Sequence, residues 1–166
     1  QTAYIYGKLH GIDIREYGSG NSGTTNALRV LGKKAGLIVF LGDLLKAVAA
    51  CVLARIIGTL FFHDILYPMI LWSGLGVVIG HNFPFYMNFK GGKGIAATAG
   101  VVLGLLDWHI IAVCLAAFII CVAITRYVSL GSLIVVTLFW ITFFVQGMHG
   151  AYLDPVTHAA YTNSQL

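Results

Sequence analysis

From Ala35 to Phe62 the chain is almost continuously apolar, with charge only at Asp43, Lys46 and Arg55. A helix needs about 20 apolar residues to cross a bilayer, so this run is long enough to span even when tilted. Further apolar runs follow at Ile65–Gly80, Ile95–Leu106, Ile110–Thr125 and Val128–Gln146. Of the 166 residues, 58% are hydrophobic and 10% are charged. Soluble domains carry about 25% charged residues, so a soluble globular fold is excluded. The expectation is an all-α, polytopic transmembrane helix bundle with Gly-rich loops on its cytoplasmic side. It forms a single integral membrane domain over 1–166: a partial first helix and Gly-rich loop at 1–34, about five membrane segments at 35–147, and a polar tail at 148–166.

Ile95–Leu106 is too short to cross alone at about 1.5 Å per residue; it is either a half-helix or extends back into the glycines before it. If all five runs cross, one side receives Gln1–Lys34, His81–Gly94 and the turn at Arg126. That side holds Lys8, Arg15, Arg29, Lys33, Lys34, Lys90, Lys93 and Arg126, whereas the opposite loops hold Asp64, Asp107 and Asp154 without any Lys or Arg. By the positive-inside rule the first side is cytoplasmic, and the clean sorting supports five crossings. Every motif-like segment falls on that side. The net charge of +4 is therefore read as topology, and no nucleic-acid partner is expected. Cys51, Cys114 and Cys121 lie in apolar runs without CxxC spacing, as buried hydrophobes rather than disulfide or zinc residues.

Three segments carry chemistry. In Gly18-Ser19-Gly20-Asn21-Ser22-Gly23-Thr24-Thr25-Asn26, glycines let a ligand approach the backbone. Successive N–H groups in such a loop form an anion nest, and Ser19, Thr24 and Thr25 add hydroxyl donors. Arg29 follows, able to grip phosphate bidentately, and a short helix over Thr24–Leu31 would point its N-terminus at the anion. The loop is neither a Walker A motif nor a dinucleotide fingerprint; the plainer reading is a flexible turn.

In Lys90-Gly91-Gly92-Lys93-Gly94, two cations flank glycines at a helix start. The macrodipole disfavours cations there, and a bound anion would convert that penalty into a phosphate site; interfacial anchoring is the simpler alternative. Phe83, Phe85, Tyr86 and Phe89 beside it form an interfacial belt or an acyl-chain entry. His81 precedes them as a candidate base or a structural histidine. The third segment, Thr125–Ser132, is either a supporting turn or a plain helix connection. Asp43 and Lys46 share a helix face at i, i+3 and read as an ion pair that positions the loop above. Arg55 is expected to snorkel to the far interface.

Taken together, these segments resemble the bacterial acyl-phosphate:glycerol-3-phosphate acyltransferases. The resemblance rests on Gly18–Asn26 with Arg29 and Gly32-Lys33-Lys34, on Asp43 with Lys46, on Gly80–Pro84 with Phe89–Gly94, and on Thr125–Ser132. It implies a multi-pass enzyme of the bacterial inner membrane, acting as a monomer among membrane lipids. Such an enzyme moves a fatty acyl group from acyl phosphate to the 1-hydroxyl of glycerol 3-phosphate, giving lysophosphatidic acid and phosphate, with no metal and no cofactor. Carried onto this sequence, Ser19, Gly20, Asn21, Gly23, Thr24, Thr25 and Asn26 would cradle the acyl-phosphate phosphate. Arg29, Lys90 and Lys93, with Gly91 and Gly92, would bind phosphate groups and offset developing charge. His81 is the matched candidate for removing the hydroxyl proton, a substrate phosphate oxygen being the alternative.

Relatives begin with a full helix ending in Gly-Ser-Ile-Pro and end with a His-Arg-x-Asn-Ile motif. Neither is matched here, so the chain reads as shortened at both ends. Other readings are an anion or phosphate-ester transporter with broken helices, or an inactive phosphate-binding remnant.

Overall fold

The computed structural model describes residues 1–148. It contains helices α1 (Thr2–Leu9), α2 (Thr24–Phe61), α3 (Leu66–Asn82), α4 (Ile95–Gly104), α5 (Trp108–Thr125) and α6 (Val128–Met148), with short 3-10 turns at Ile14–Glu16, His63–Ile65 and Phe85–Met87. The expected all-α fold holds among the described residues. The polar tail, with Asp154, His149 and His158, lies outside them.

Four segments, Thr24–Phe61, His63–Met87, Trp108–Thr125 and Leu130–Met148, are long and apolar enough to cross a membrane. The exposed hydrophobic surface fits a lipid solvent. Trp72, Ile124 and Leu133 are 70%, 77% and 68% exposed, positions that would be liabilities in water. The third run, Ile95–Leu106, forms α4, ten residues long. Its rise of about 15 Å is half the hydrocarbon core, so length alone supports four crossings rather than five. It does not extend back: the glycines before Ile95 stay non-helical.

The sequence suggests a short helix over Thr24–Leu31 and a separate run from Ala35. The two are joined as α2 through one break at Gly32, with φ 87° and ψ 180°. Those angles belong to glycine almost alone, so the break is written at one residue.

The chain divides into two compact units. One comprises Gln1–Cys51 with Ser73–Gly104, the other Val52–Trp72 with the residues from Leu105. In the first, Ala3, Ile14, Ala27 and Val39 are fully buried against one another. Small residues bring α2 and α4 together: a Cβ on Gly100 would meet the Leu44 carbonyl, and one on Gly104 would lie 2.6 Å from the Cys51 Cβ. Such close backbone approach replaces the hydrophobic drive that helices lack in lipid.

Asp13 ties the segment after α1. It accepts from the Arg15 N–H, Nε and Nη2 at 3.1, 2.9 and 2.7 Å and pairs with Lys8 at 3.2 Å. The Arg15 guanidinium holds the Asp13 carboxyl well below the usual carboxylate range.

In the second unit, Asp107 caps α5 by accepting from the His109 and Ile110 N–H groups at 3.0 and 3.2 Å. Arg126 closes it in a left-handed conformation, φ 61°. Arg55 does not simply snorkel. It is half-buried and donates from Nη2 to the Leu105 carbonyl. A cavity of about 130 Å³ lies beside it, lined by Tyr67, Asp107, Ile110 and Phe143. The three cysteines are free and buried, as the sequence suggests.

Candidate active site

Two of the three motif segments meet within the first unit. The Asn21 side-chain amide donates to the Gly91 carbonyl at 3.3 Å across 70 residues, tying the Ser19 loop to the Lys90 loop. The third segment, Thr125–Ser132, belongs to the second unit. There Thr125 Oγ1 donates to the Cys121 carbonyl at 2.7 Å and Ser132 Oγ to that of Val128 at 2.8 Å, both within the local backbone.

The first loop is shaped by Asn26. This residue is 2% exposed, in the first turn of α2. Its Oδ1 accepts from the Ser19 N–H at 2.9 Å, and its Nδ2 donates to the carbonyls of Tyr17 at 3.0 Å and Ile14 at 3.3 Å. Its polar atoms are thus spent on the loop. Ser19, Gly20 and Thr25 are exposed, and Asn21, Gly23 and Thr24 half-buried. Ser22 is fully buried. The hydroxyls of Ser22 and Thr24 have no hydrogen-bond partner among the described residues. Arg29 is exposed one turn further along α2.

The second loop folds back on the end of α3. The Gly91 N–H donates to the Asn82 carbonyl at 3.0 Å, and the Gly92 N–H to the His81 carbonyl at 3.1 Å. Glycine is required by contact: a Cβ at Gly91 would strike the His81 carbonyl, and one at Gly92 the His81 ring. Lys90 and Lys93 project from this hairpin, both exposed. Like Arg29, neither has an ion-pair partner among the described residues.

Beneath the loops lies a charge cluster. Lys46 Nζ is 2.7 Å from Asp43 Oδ1, the ion pair that the i, i+3 spacing suggests. It is also 2.8 Å from Nδ1 of His81. Thr2 Oγ1 donates to the same Asp43 oxygen at 3.0 Å. Asp43 and His81 are 1% and 4% exposed, so His81 is built into the loop's foundation. Buried charge is tolerable only when paired and hydrogen-bonded; here the pairing falls on Asp43 Oδ1, while the buried Oδ2 has no hydrogen-bond partner among the described residues.

Sequence reasoning placed Arg29, Lys90, Lys93 and the glycines in a site, and the two loops do converge. It missed Thr2 and the link between His81 and Lys46. No spacing rule signals that link, because the residues lie on different helices. The described residues contain no group of three or more His, Cys, Asp or Glu side chains able to hold a metal.

The glycerol-3-phosphate acyltransferase family matches residues 1–162. The chain belongs to this family. It is 48% identical over 134 residues to the glycerol-3-phosphate acyltransferase of Clostridioides difficile strain 630, covering 80% of this chain and 65% of that relative. The chain thus spans just under two thirds of that relative's length. It is 42% identical over 146 residues to a glycerol-3-phosphate acyltransferase 2 of Bacillus cereus, covering 87% and 70%. Among solved structures it resembles the crystal structure of PlsY (YgiH), an integral membrane glycerol 3-phosphate acyltransferase, in its glycerol 3-phosphate form. The TM-score is 0.74 with 35% identity, over 93% of this chain and 71% of that one. The lysophosphatidic acid form of the same enzyme matches at TM-score 0.73 and 34% identity, over 87% and 69%. Family membership and likeness to an integral membrane enzyme make this chain a multi-pass membrane protein.

Proposed function

We propose that the chain transfers a fatty acyl group from acyl phosphate to the 1-hydroxyl of glycerol 3-phosphate. The observation that carries this is the junction of two glycine-rich loops through Asn21 and Gly91, flanked by exposed Arg29, Lys90 and Lys93. Two phosphate-bearing substrates need two anion cradles side by side, and a long-chain acyl phosphate needs a site reached from lipid. The relatives' names and the two ligand forms of the solved enzyme support the choice of glycerol 3-phosphate.

In this reading Ser19, Gly20, Asn21, Gly23, Thr24 and Thr25 receive the phosphate of the acyl donor. Asn26 shapes that loop from behind. Arg29, Lys90 and Lys93 hold phosphate oxygens and offset the charge that builds on them. The substrate hydroxyl attacks the acyl carbon, the acyl–phosphate C–O bond breaks, and an ester C–O bond forms. The hydroxyl proton ends on the departing phosphate, so the balance closes without a protein nucleophile, metal or cofactor. Catalysis then rests on positioning and electrostatic stabilisation. The loops face the cytoplasm, on the cation-rich side of the bacterial inner membrane, and the enzyme acts as a monomer.

The test uses purified protein in lipid vesicles with palmitoyl phosphate and glycerol 3-phosphate. Equimolar release of inorganic phosphate and lysophosphatidic acid, reduced by Ser19→Ala and Lys90→Ala, is the expected result. Movement of labelled glycerol 3-phosphate into the vesicles with no phosphate release would replace the enzyme reading with transport.

A further inference from the structure

We infer that Lys46 fixes the tautomer of His81, so that this histidine presents an Nε2–H donor to a substrate phosphate oxygen rather than a lone pair to the attacking hydroxyl. The inference rests on the acyltransferase reading for its substrate and on geometry for the tautomer.

A lysine ammonium carries donors and no acceptor. Lys46 Nζ lies 2.8 Å from His81 Nδ1, so the nitrogen it faces must accept. In a neutral imidazole one nitrogen accepts and the other carries the proton, which places that proton on Nε2. Asp43 could reverse this only by holding a proton on Nδ1. Its Oδ1 is 3.6 Å from that atom, beyond hydrogen-bond distance. The same oxygen already takes Lys46 at 2.7 Å and Thr2 at 3.0 Å. Asp43 thus aims Lys46 through the 2.7 Å ion pair, and Lys46 sets the ring.

The other end of the ring meets the anion loop. Nε2 lies against Gly92, where a Cβ has no room, and it has no acceptor among the described residues. The loop is bound to the same turn of α3 through the Gly92 N–H and His81 carbonyl, 3.1 Å apart. Ring and loop therefore form one rigid piece, with an unused N–H beside the backbone between Lys90 and Lys93. An anionic oxygen held by that loop supplies the missing acceptor. A general base would need a free lone pair at Nε2, and Lys46 excludes it. Since the proton leaves with phosphate, none is required. Asp43 and Lys46 are positioning residues; His81 touches substrate.

The tautomer is read directly by nitrogen-15 NMR of histidine-labelled protein in detergent micelles, with His81→Gln identifying the signal. Wild type should show a protonated Nε2 and an unprotonated Nδ1, and Lys46→Met should convert this to a mixture. Protonation at Nδ1 in wild type would overturn the inference whatever the activity, so it can fail separately from the acyltransferase reading.

Kinetics supply the second arm. Glutamine carries an N–H donor at the ε position but cannot act as a base. We expect His81→Ala to lower kcat by about 100-fold, the scale of one lost transition-state donor. His81→Gln should recover most of that loss, ending within about 10-fold of wild type. Equal loss in both folded variants would assign His81 as the base and sink the donor role.

Discussion

The Gly92 backbone rests against the His81 ring so closely that no side chain fits between them. The carbonyl of the same histidine takes the Gly92 N–H at 3.1 Å. Gly92→Ala must therefore push the loop off the end of α3. Overpacking of this kind costs about 1–3 kcal/mol. Acyl transfer should fall at least as much as stability, because Lys90 moves with the loop. Thermal unfolding in detergent, run beside kcat/KM, checks both; an unaffected rate would show that the loop does not hold substrate.

Asn26 shapes the first loop from inside. Asn26→Ala strands the Ser19 N–H and the carbonyls of Tyr17 and Ile14 that it now serves. The Ile14 carbonyl is the fully buried one, and leaving it without this donor costs about 1–3 kcal/mol, with smaller losses from the two part-buried groups. Asn26→Asp keeps the acceptor but loses the donor, and should fall between alanine and wild type. The expected kinetic signature is a raised KM for acyl phosphate, measured at saturating glycerol 3-phosphate.

Gly32 breaks α2 at φ 87° and ψ 180°. Gly32→Ala should destabilise the protein by about 1–3 kcal/mol through backbone strain alone. Straightening the helix would instead re-aim Arg29, three residues earlier. A drop in activity larger than the drop in stability would report that second effect.

Asp13 supplies the pH dependence. Its carboxyl is held below its ordinary value by Arg15, so it releases its proton more readily folded than unfolded. Its contribution is complete above the unfolded pKa, about 3.9, and is lost as pH falls through the lower folded value. Asp13→Asn should lower the melting midpoint by a constant amount from pH 5 to 8, with the gap closing only below about pH 4. A gap that varied between pH 6 and 8 would point to another group.

Much of this was legible in the sequence, for physical reasons. The Ala35–Phe62 run declares a spanning helix because only lipid accommodates so much apolar surface. The shortness of Ile95–Leu106 was visible by counting, and α4 is correspondingly short. Asp43 and Lys46 pair because i, i+3 neighbours on a helix must meet. The contact of Lys46 with His81 was not legible, since helix packing rather than local spacing creates it. Asn26 was expected to face a ligand and instead faces its own loop. An amide that both donates and accepts suits either task, and only the fold decides between them. The join of Thr24–Leu31 to the long run was missed because one glycine bends a helix without ending it.

The bond between Asn21 and Gly91 makes the two loops thermodynamically dependent. Whatever stiffens one reduces the entropy that the other must surrender on binding. Acyl donor and glycerol 3-phosphate should then assist each other's capture, and linkage requires the factor to be the same in both directions. Asn21→Ala would uncouple them: beyond any direct loss of acyl-donor affinity, the factor by which each substrate improves the other's binding would fall to one.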